Sequence, residues 1–381
     1  MKYISDELRK IKESGLYREL NIVEGAQGTH LKIKGKTCLS FCSNNYLGLA
    51  NNPLVIKAVE DAVAKYGWGA GASRLVSGNM RMHEALEGEI SRFKEKEASI
   101  VFPTGYMANI GTISSLVSKG DLIICDKLNH ASIIDGCRLS GAEFRVYPHC
   151  EMEKLENILK KSTKYSRKLI VTDTVFSMDG DIAPLPDIVR IAHKYKAMVM
   201  VDEAHGTGVF GKRGGGVVEH FNLSKKIDIV MGTLSKAVGS LGGYVSGDED
   251  LINFLRNKAR PFMYTTALPP AVCAASIAGI KLIQKNPLLR KSLWNNVRYL
   301  KKELDLLNFN LIPSESPIIP ILIGDAKKAV DVSKLLYKKG ILIPAIRPPT
   351  VPTRSSRLRM TVMSTHTRKD LERLLEVLSD V

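Results

Sequence analysis

From Ala98 to Thr233 the chain repeats one pattern: a short apolar run, a polar break, then a stretch that reads as helix or loop. The runs are ASIVF, LIICD, EFRVYPH, KLIVTDTV, AMVMVD and IDIVMGTL. Short runs rich in Val and Ile, bounded by polar residues, read as buried strands, because a strand covered on one side only would alternate. Helical stretches between most of them supply the crossovers that parallel pairing requires. The pattern predicts an α/β fold, a mostly parallel central sheet with helices on both faces. LGGYVSG predicts one further strand.

The flanks read differently. Residues 1–22 predict one amphipathic helix, and THLKIKGKTCLSF predicts a hairpin with Gly35 and Lys36 at its turn. Together they form an arm, residues 1–45, too small for a core of its own. SNNYLGLANNP predicts a loop, and a helix follows from about Pro53 to Tyr66. GWGAGASRLVSGN is glycine-rich without a strand before it; cradling a phosphate and packing against a partner chain both suit it. The large domain spans 46–285. Pro269 to about Leu306 is mostly helical, and IIPILIG, a helix at 326–339, ILIPAIR, RLRMTVM and a last helix from 367 make a small α+β domain over 286–381.

Composition narrows the classes. With 381 residues, 44% apolar and 25% charged, the chain suffices for a large core and two lobes. No apolar run approaches the roughly 18–20 residues that span a bilayer, and MKYISDELRKIKESG lacks a basic-then-apolar leader, so the cytoplasm is expected. Six cysteines without a C-x-x-C pair, several inside apolar runs, make disulfides and zinc improbable and no metal is expected. The net charge of +16 favours anionic partners. It is spread over lysine-rich stretches such as 151–168 and 285–302, and 6% aromatics leave few stacking platforms, so neither nucleic acid nor membrane is expected as a partner. A polyanionic small substrate such as a coenzyme A thioester fits the field.

The chemistry lies where the runs end. Thr104 and Gly105, Asn129 and His130, Asp173, Asp202 with His205, and Thr233 with Lys236 each follow a strand, and a doubly wound sheet brings such ends to one crevice. Thr104 is placed to cap a helix whose first N–H groups, on Gly105 and Tyr106, suit a phosphate. His130 is placed equally well to lie against an aromatic ring or to cap a helix. A carboxylate such as Asp202, able to keep a pyridine nitrogen protonated, and a lysine such as Lys236, able to bond an aldehyde, are what pyridoxal phosphate (PLP) chemistry requires. Gly206 to Gly211 spells G-x-G-x-x-G, but DEAH separates it from the strand and KRGGG follows where a helix should start, so it is discounted as a dinucleotide site. Gly206 to Lys212 resembles a P-loop with Arg213 in place of the magnesium-binding hydroxyl, and is discounted too.

SNNYLGL, RLVSGN, LNHASIIDG, FSMDGDIAPL, VDEAHGTGVFG, TLSKAVGSLGG and YTTALPP, in this order and spacing, resemble the α-oxoamine synthases, PLP enzymes of fold type I. The resemblance covers nearly the whole chain. It implies decarboxylative condensation of an amino acid with an acyl thioester, by a homodimer with its active site at the interface. AIRPPTVPTRSSRLRMTVMSTH most resembles the members that take L-alanine and a pimeloyl thioester of CoA or a carrier protein; glycine with acetyl-CoA is the alternative. Lys236 would be the Schiff-base lysine and His130 the ring-stacking residue, also on the substrate side. Asp202 would face the pyridine nitrogen and His205 the ring oxygen, with Ser177 nearby. Thr233 and the backbone of Gly105 and Tyr106 would hold the phosphate, joined by Thr266 from the second subunit. Arg347 would bind the amino-acid carboxylate, and Arg18, Asn45 and Thr350 would contact substrate. Glu203 and Asn45 stand where aspartates are expected.

Overall fold

The computed structural model describes residues 2–14 and 16–380. Its strands, in chain order, are β1 His30–Ile33, β2 Lys36–Ser40, β3 Ala98–Phe102, β4 Leu122–Asp126, β5 Glu143–Tyr147, β6 Lys168–Asp173, β7 Met198–Asp202, β8 Ile229–Thr233, β9 Gly243–Gly247, β10 Ile318–Gly324, β11 Ile341–Leu342, β12 Ala345–Ile346 and β13 Ser356–Thr361. Every predicted run of the central segment forms a strand. Seven of them build one sheet in the order β3-β9-β8-β7-β6-β4-β5, parallel except for β9, which runs against both β3 and β8. Because β9 is inserted in reverse, β3 points the same way as β8, and the carboxyl ends of all the others lie on one rim.

Both faces of this sheet are covered. Alternate residues point to opposite sides, so Ile100, Ile123, Val171, Met200 and Met231 pack with Ile113 and Ile133 of the helices Gly105–Leu116 and Ala131–Ser140. Val101, Ile124, Ile170, Val201 and Val230 join the larger core on the other face, which continues into the C-terminal lobe through Leu293, Ile319 and Leu358. Continuous burial of β4, β8 and β9 explains why these strands do not alternate in sequence.

Three flanking predictions are corrected. The first helix covers Lys2–Glu13, and residues 16–22 are not helical; Ser14 is a poor continuer, and the helix buries no side chain that would hold it together further. The hairpin turns at Lys34 and Gly35, with Lys36 already paired to Ile33; both turn residues have positive φ, 50° and 75°, the backbone a two-residue hairpin loop demands. ILIPAIR is two strands instead of one. Pro344 breaks it, and the halves serve different sheets: β11 runs parallel to β2 of the hairpin, while β12 pairs with β13, itself antiparallel to β10. The N-terminal hairpin is thereby stitched to the C-terminal lobe. Among the described residues no helix is long and apolar enough to cross a membrane.

Candidate active site

A cavity of about 220 Å³ opens on the carboxyl rim of the sheet, lined by Thr104, Gly105, Tyr106, Asn109, His130, Ser132, Asp173, Ser177, Asp202, Ala204, His205, Met231, Thr233, Ser235 and Lys236. All five strand ends singled out in the sequence contribute to it. A larger hollow of about 950 Å³, lined by Phe210, Arg290, Trp294, Lys225 and Lys226 among others, lies elsewhere and contains none of these groups.

At one end, Thr104 caps the helix Gly105–Leu116 by accepting from Met107 N (3.1 Å), which leaves the N–H groups of Gly105 and Tyr106 without helical partners and aimed outward. A β-carbon on Gly105 would stand 3.1 Å from Met231 Cε and 3.5 Å from Thr233 Cβ, so a larger residue would crowd this corner. Thr233 Oγ1 donates to Gly242 O (2.9 Å) and lies 2.7 Å from Ser235 Oγ. Donors converging on a helix start make a seat for a dianion.

Across the cavity, Asp202 is 4% exposed and receives Asn109 Nδ2 on one oxygen and Ala204 N on the other, both at 2.8 Å. Asn109 also donates to Ser132 Oγ (2.8 Å), and its own Oδ1 is buried without a partner. His130 does both things the sequence left open: its Nδ1 caps the helix Ala131–Ser140 through Ser132 N (3.3 Å), and its exposed ring faces the cavity. Burial holds its imidazole below the usual range. His205 is buried, with Nδ1 2.7 Å from Tyr46 Oη, and burial followed by the Lys236 and Arg359 charges keeps it well below the usual range, hence neutral. Lys236 has no carboxylate within ion-pairing distance among the described residues, and burial lowers its affinity for a proton against the pull of Asp202 and Asp173. A buried amine whose hold on its proton is weakened in this way is better suited to act as a nucleophile than an exposed lysine.

Several contributors went unread in the sequence. Asn109 and Tyr46 are two; Asn109 sits with Thr112 among the buried positions of the helix Gly105–Leu116, and an amide at a buried helix position was the available signal. Arg359 is a third. It is 6% exposed, donates from Nε to Ser177 O (2.5 Å) and from its second arm to Asn44 Oδ1 (3.3 Å), and no carboxylate pairs with it among the described residues. Its neighbour on the same face of β13, Arg357, is paired with Asp179 at 2.5 Å. Glu203 points away from the cavity and accepts from Val217 N (3.0 Å) and Val218 N (2.7 Å), closing the glycine-rich loop on itself.

The remaining predicted residues lie outside this lining. Asn45 is buried in its loop, accepting from Ala50 N (3.2 Å). Arg347 donates to Tyr17 O (3.2 Å) and accepts Thr350 N on its carbonyl (3.1 Å), which gathers Arg18, Arg347 and Thr350 at one seam between arm and C-terminal lobe. Thr266 is exposed and bridged to Ser73.

PLP fits this donor set. The anion seat beside Gly105, the Asp202 carboxyl held by two neutral donors, the orphaned Asn109 Oδ1 and the Lys236 amine without a carboxylate partner among the described residues suit its phosphate, ring nitrogen and aldehyde.

Comparison with known proteins agrees. The family model described as aminotransferase class I and II matches residues 36–378. The 8-amino-7-oxononanoate synthase of Thermoanaerobacter pseudethanolicus is 48% identical over 100% of this chain and 96% of that protein. Among solved structures, serine palmitoyltransferase from S. paucimobilis with bound PLP–myriocin aldimine matches 99% of this chain and 96% of its own at 35% identity with a TM-score of 0.94. The 8-amino-7-oxononanoate synthase of Francisella tularensis matches 90% and 97% at 31% identity with a TM-score of 0.78.

Proposed function

Because the chain belongs to the class I and II aminotransferase family, and within it to the 8-amino-7-oxononanoate synthases, we propose that its rim cavity joins L-alanine to a pimeloyl thioester with loss of carbon dioxide. The reaction is that of a PLP-dependent acyltransferase of biotin biosynthesis, and it releases 8-amino-7-oxononanoate and the free thiol of CoA or a carrier protein. The observation that carries this reading is the meeting of Lys236, Asp202, His130 and His205 in one cavity with the anion seat at Gly105.

Bound PLP supplies an aldehyde for an amine and a protonated ring that accepts the electron pair left on Cα. The chain's residues set the conditions. Lys236, whose affinity for a proton is lowered by burial, would be the amine that bonds the cofactor's aldehyde and the base that takes the Cα proton at Nζ. Asp202, held by donors from Asn109 and Ala204, would face the ring nitrogen. His130 would cover the ring face, and neutral His205, with Ser177, would face the ring oxygen. Thr233 and the N–H groups of Gly105 and Tyr106 would hold the phosphate. Arg347 would bind the amino-acid carboxylate, with Arg18, Thr350 and Asn45 contacting substrate, and Arg359, buried without a carboxylate partner among the described residues, is a second candidate for the carboxylate. Homodimerisation, with Thr266 reaching the second subunit's phosphate, and a cytoplasmic location complete the proposal.

The test is direct. Borohydride reduction of the yellow holoenzyme followed by digestion is expected to place the tag on Lys236, and alanine with a ladder of acyl thioesters is expected to favour pimeloyl. A tag on another lysine, or preference for glycine with acetyl-CoA, overturns the reading.

A further inference from the structure

Asn109, Ser132 and His130 form one hydrogen-bonded chain along a wall of the cavity. Asn109 Nδ2 lies 2.8 Å from Asp202 Oδ2 and 2.8 Å from Ser132 Oγ, and Ser132 Oγ lies 2.8 Å from His130 Nδ1. Asn109 and Ser132 are each 1% exposed, so solvent does not compete for these bonds. What each atom can do sets the direction of every bond. An amide nitrogen only donates, and Asn109 gives one N–H to Asp202 and the other to Ser132 Oγ. The backbone N–H of Ser132 also only donates, and it points at His130 Nδ1 (3.3 Å), so Nδ1 carries a lone pair. Ser132 Oγ, already accepting from Asn109, therefore sends its own hydrogen to that lone pair. With Nδ1 an acceptor, the hydrogen of the neutral ring sits on Nε2. Among the described residues the ring's hydrogen bonds are all on Nδ1, which leaves Nε2–H for the cavity.

We propose that Ser132 is a positioning residue of this site: its hydroxyl, oriented by Asn109, fixes His130 as the tautomer that offers Nε2–H to a substrate oxygen and takes up no proton at neutral pH. The proposal deepens the function above and rests on this cavity being where alanine and the thioester react. Protonating the ring would put a hydrogen on Nδ1 against the Ser132 N–H and strand the hydroxyl hydrogen without its acceptor. Hydrogen bonds made to the neutral form in this way disfavour the charged one. The charged and titratable groups facing the ring are Asp202 from β7, His205 from the loop beyond it, Lys236 beyond β8 and Asp135 on its own helix, while Asp173 of β6 accepts its backbone N–H at 2.7 Å. Burial, the largest influence, and the Lys236 charge act with the Ser132 hydroxyl; Asp202 and Asp135 act against it.

Nitrogen NMR of histidine-labelled protein reads the tautomer directly, with the His130 signal assigned by its loss in His130→Gln. In the cofactor-free protein and the holoenzyme alike, Nδ1 is expected to be bare and Nε2 protonated at neutral pH. Ser132→Ala removes the hydroxyl and keeps the backbone N–H. It is expected to bring the Nδ1-protonated ring into the spectrum and to raise the pH at which His130 gains its second proton, and with it the acid limit of kcat, by about one unit. Ser132→Cys, whose thiol donates weakly, is expected to fall between the two. A role confined to packing lowers thermal stability and leaves tautomer and acid limit where they are. Hydrogen on Nδ1 in the wild type, or a tautomer and acid limit unmoved in Ser132→Ala, overturns the proposal. If the Ala variant does not fold, the Cys variant decides in the same way. The tautomer of the cofactor-free protein depends neither on where borohydride places its tag nor on which thioester is taken, so the two readings fail separately.

Discussion

Tyr46 Oη lies 2.7 Å from His205 Nδ1, joining the loop before the first large-domain helix to the loop beyond β7. Burial pushes the Tyr46 phenol up to about 12 and holds His205 well below the usual range, so both are neutral. The single phenolic proton goes to Nδ1 at 2.7 Å, because the other acceptor of Tyr46 among the described residues, Asn44 Oδ1, is 3.4 Å away. That fixes the tautomer in which Nε2 carries hydrogen and can donate into the cavity. Tyr46→Phe leaves Nδ1 buried and unpaired, a cost of about 1–3 kcal/mol. We expect kcat to fall roughly tenfold, which corresponds to about 1.4 kcal/mol of barrier, with little change in KM for the thioester. Steady-state kinetics with nitrogen NMR of His205 checks both points, and an unaltered tautomer in the variant contradicts the assignment.

A second relationship concerns the anion seat. Because β9 is inserted beside β3, Gly243 abuts the start of the capped helix, and a β-carbon there would stand 2.6 Å from Gly105 Cα and 2.7 Å from both Gly105 N and Thr104 O. The obstruction is backbone and cannot rotate away. Gly243→Ala is therefore expected to displace the N–H groups that seat the phosphate, weakening PLP binding at least tenfold while costing the fold about 1–3 kcal/mol. Fluorescence titration of the cofactor-free protein measures the first and thermal unfolding the second. Wild-type cofactor affinity in this variant would remove the helix start from the site.

His149 places one ring nitrogen 2.9 Å from Asp126 Oδ1 and the other 2.7 Å from Asp181 Oδ2, so its ring is sandwiched as a cation between the segments that carry His130 and Ser177. Burial opposes the charge, but the hydrogen bonds to Asp126 and Asp181 outweigh it and raise His149 to about 12. In the unfolded chain a histidine titrates near about 6.5. Below that pH both states are protonated and the stabilisation is complete. Between it and about 12 the folded state keeps a proton that the unfolded chain has released, so the contribution declines as pH rises. His149→Gln is expected to lower urea stability by about 1–3 kcal/mol at pH near 6. The gap between wild type and variant should narrow toward pH 9, and a gap that widens contradicts the ion triad.

Much of the fold was legible because the central strands are buried on both faces and so spell themselves as apolar runs. The start of the helix Pro53–Tyr66 was legible from Asn52, whose side chain accepts Leu54 N at 2.9 Å. Strand order was not. Nothing in LGGYVSG states that it runs backwards between β3 and β8, since antiparallel and parallel pairing place the same apolar residues inside. The limits of the first helix failed because amphipathic spacing continues past Ser14 without the packing that would sustain a helix.

For the site, the sequence by itself determined which candidate groups gather at the rim. Lys236, Asp202, His130, His205 and Thr104 each stand just beyond an apolar run, and parallel strands carry such positions to a common rim. Only the tertiary structure decided how those groups are charged and held. The facing of Asp173 with Asp202, the Asn109 donor between helix and strand, the Tyr46 proton on His205 and the unpaired guanidinium of Arg359 all join residues far apart in the chain. Ionisation depends on desolvation and on neighbours within a few ångströms, and those neighbours are set by how the strands align, which a linear pattern of apolar and polar residues does not encode.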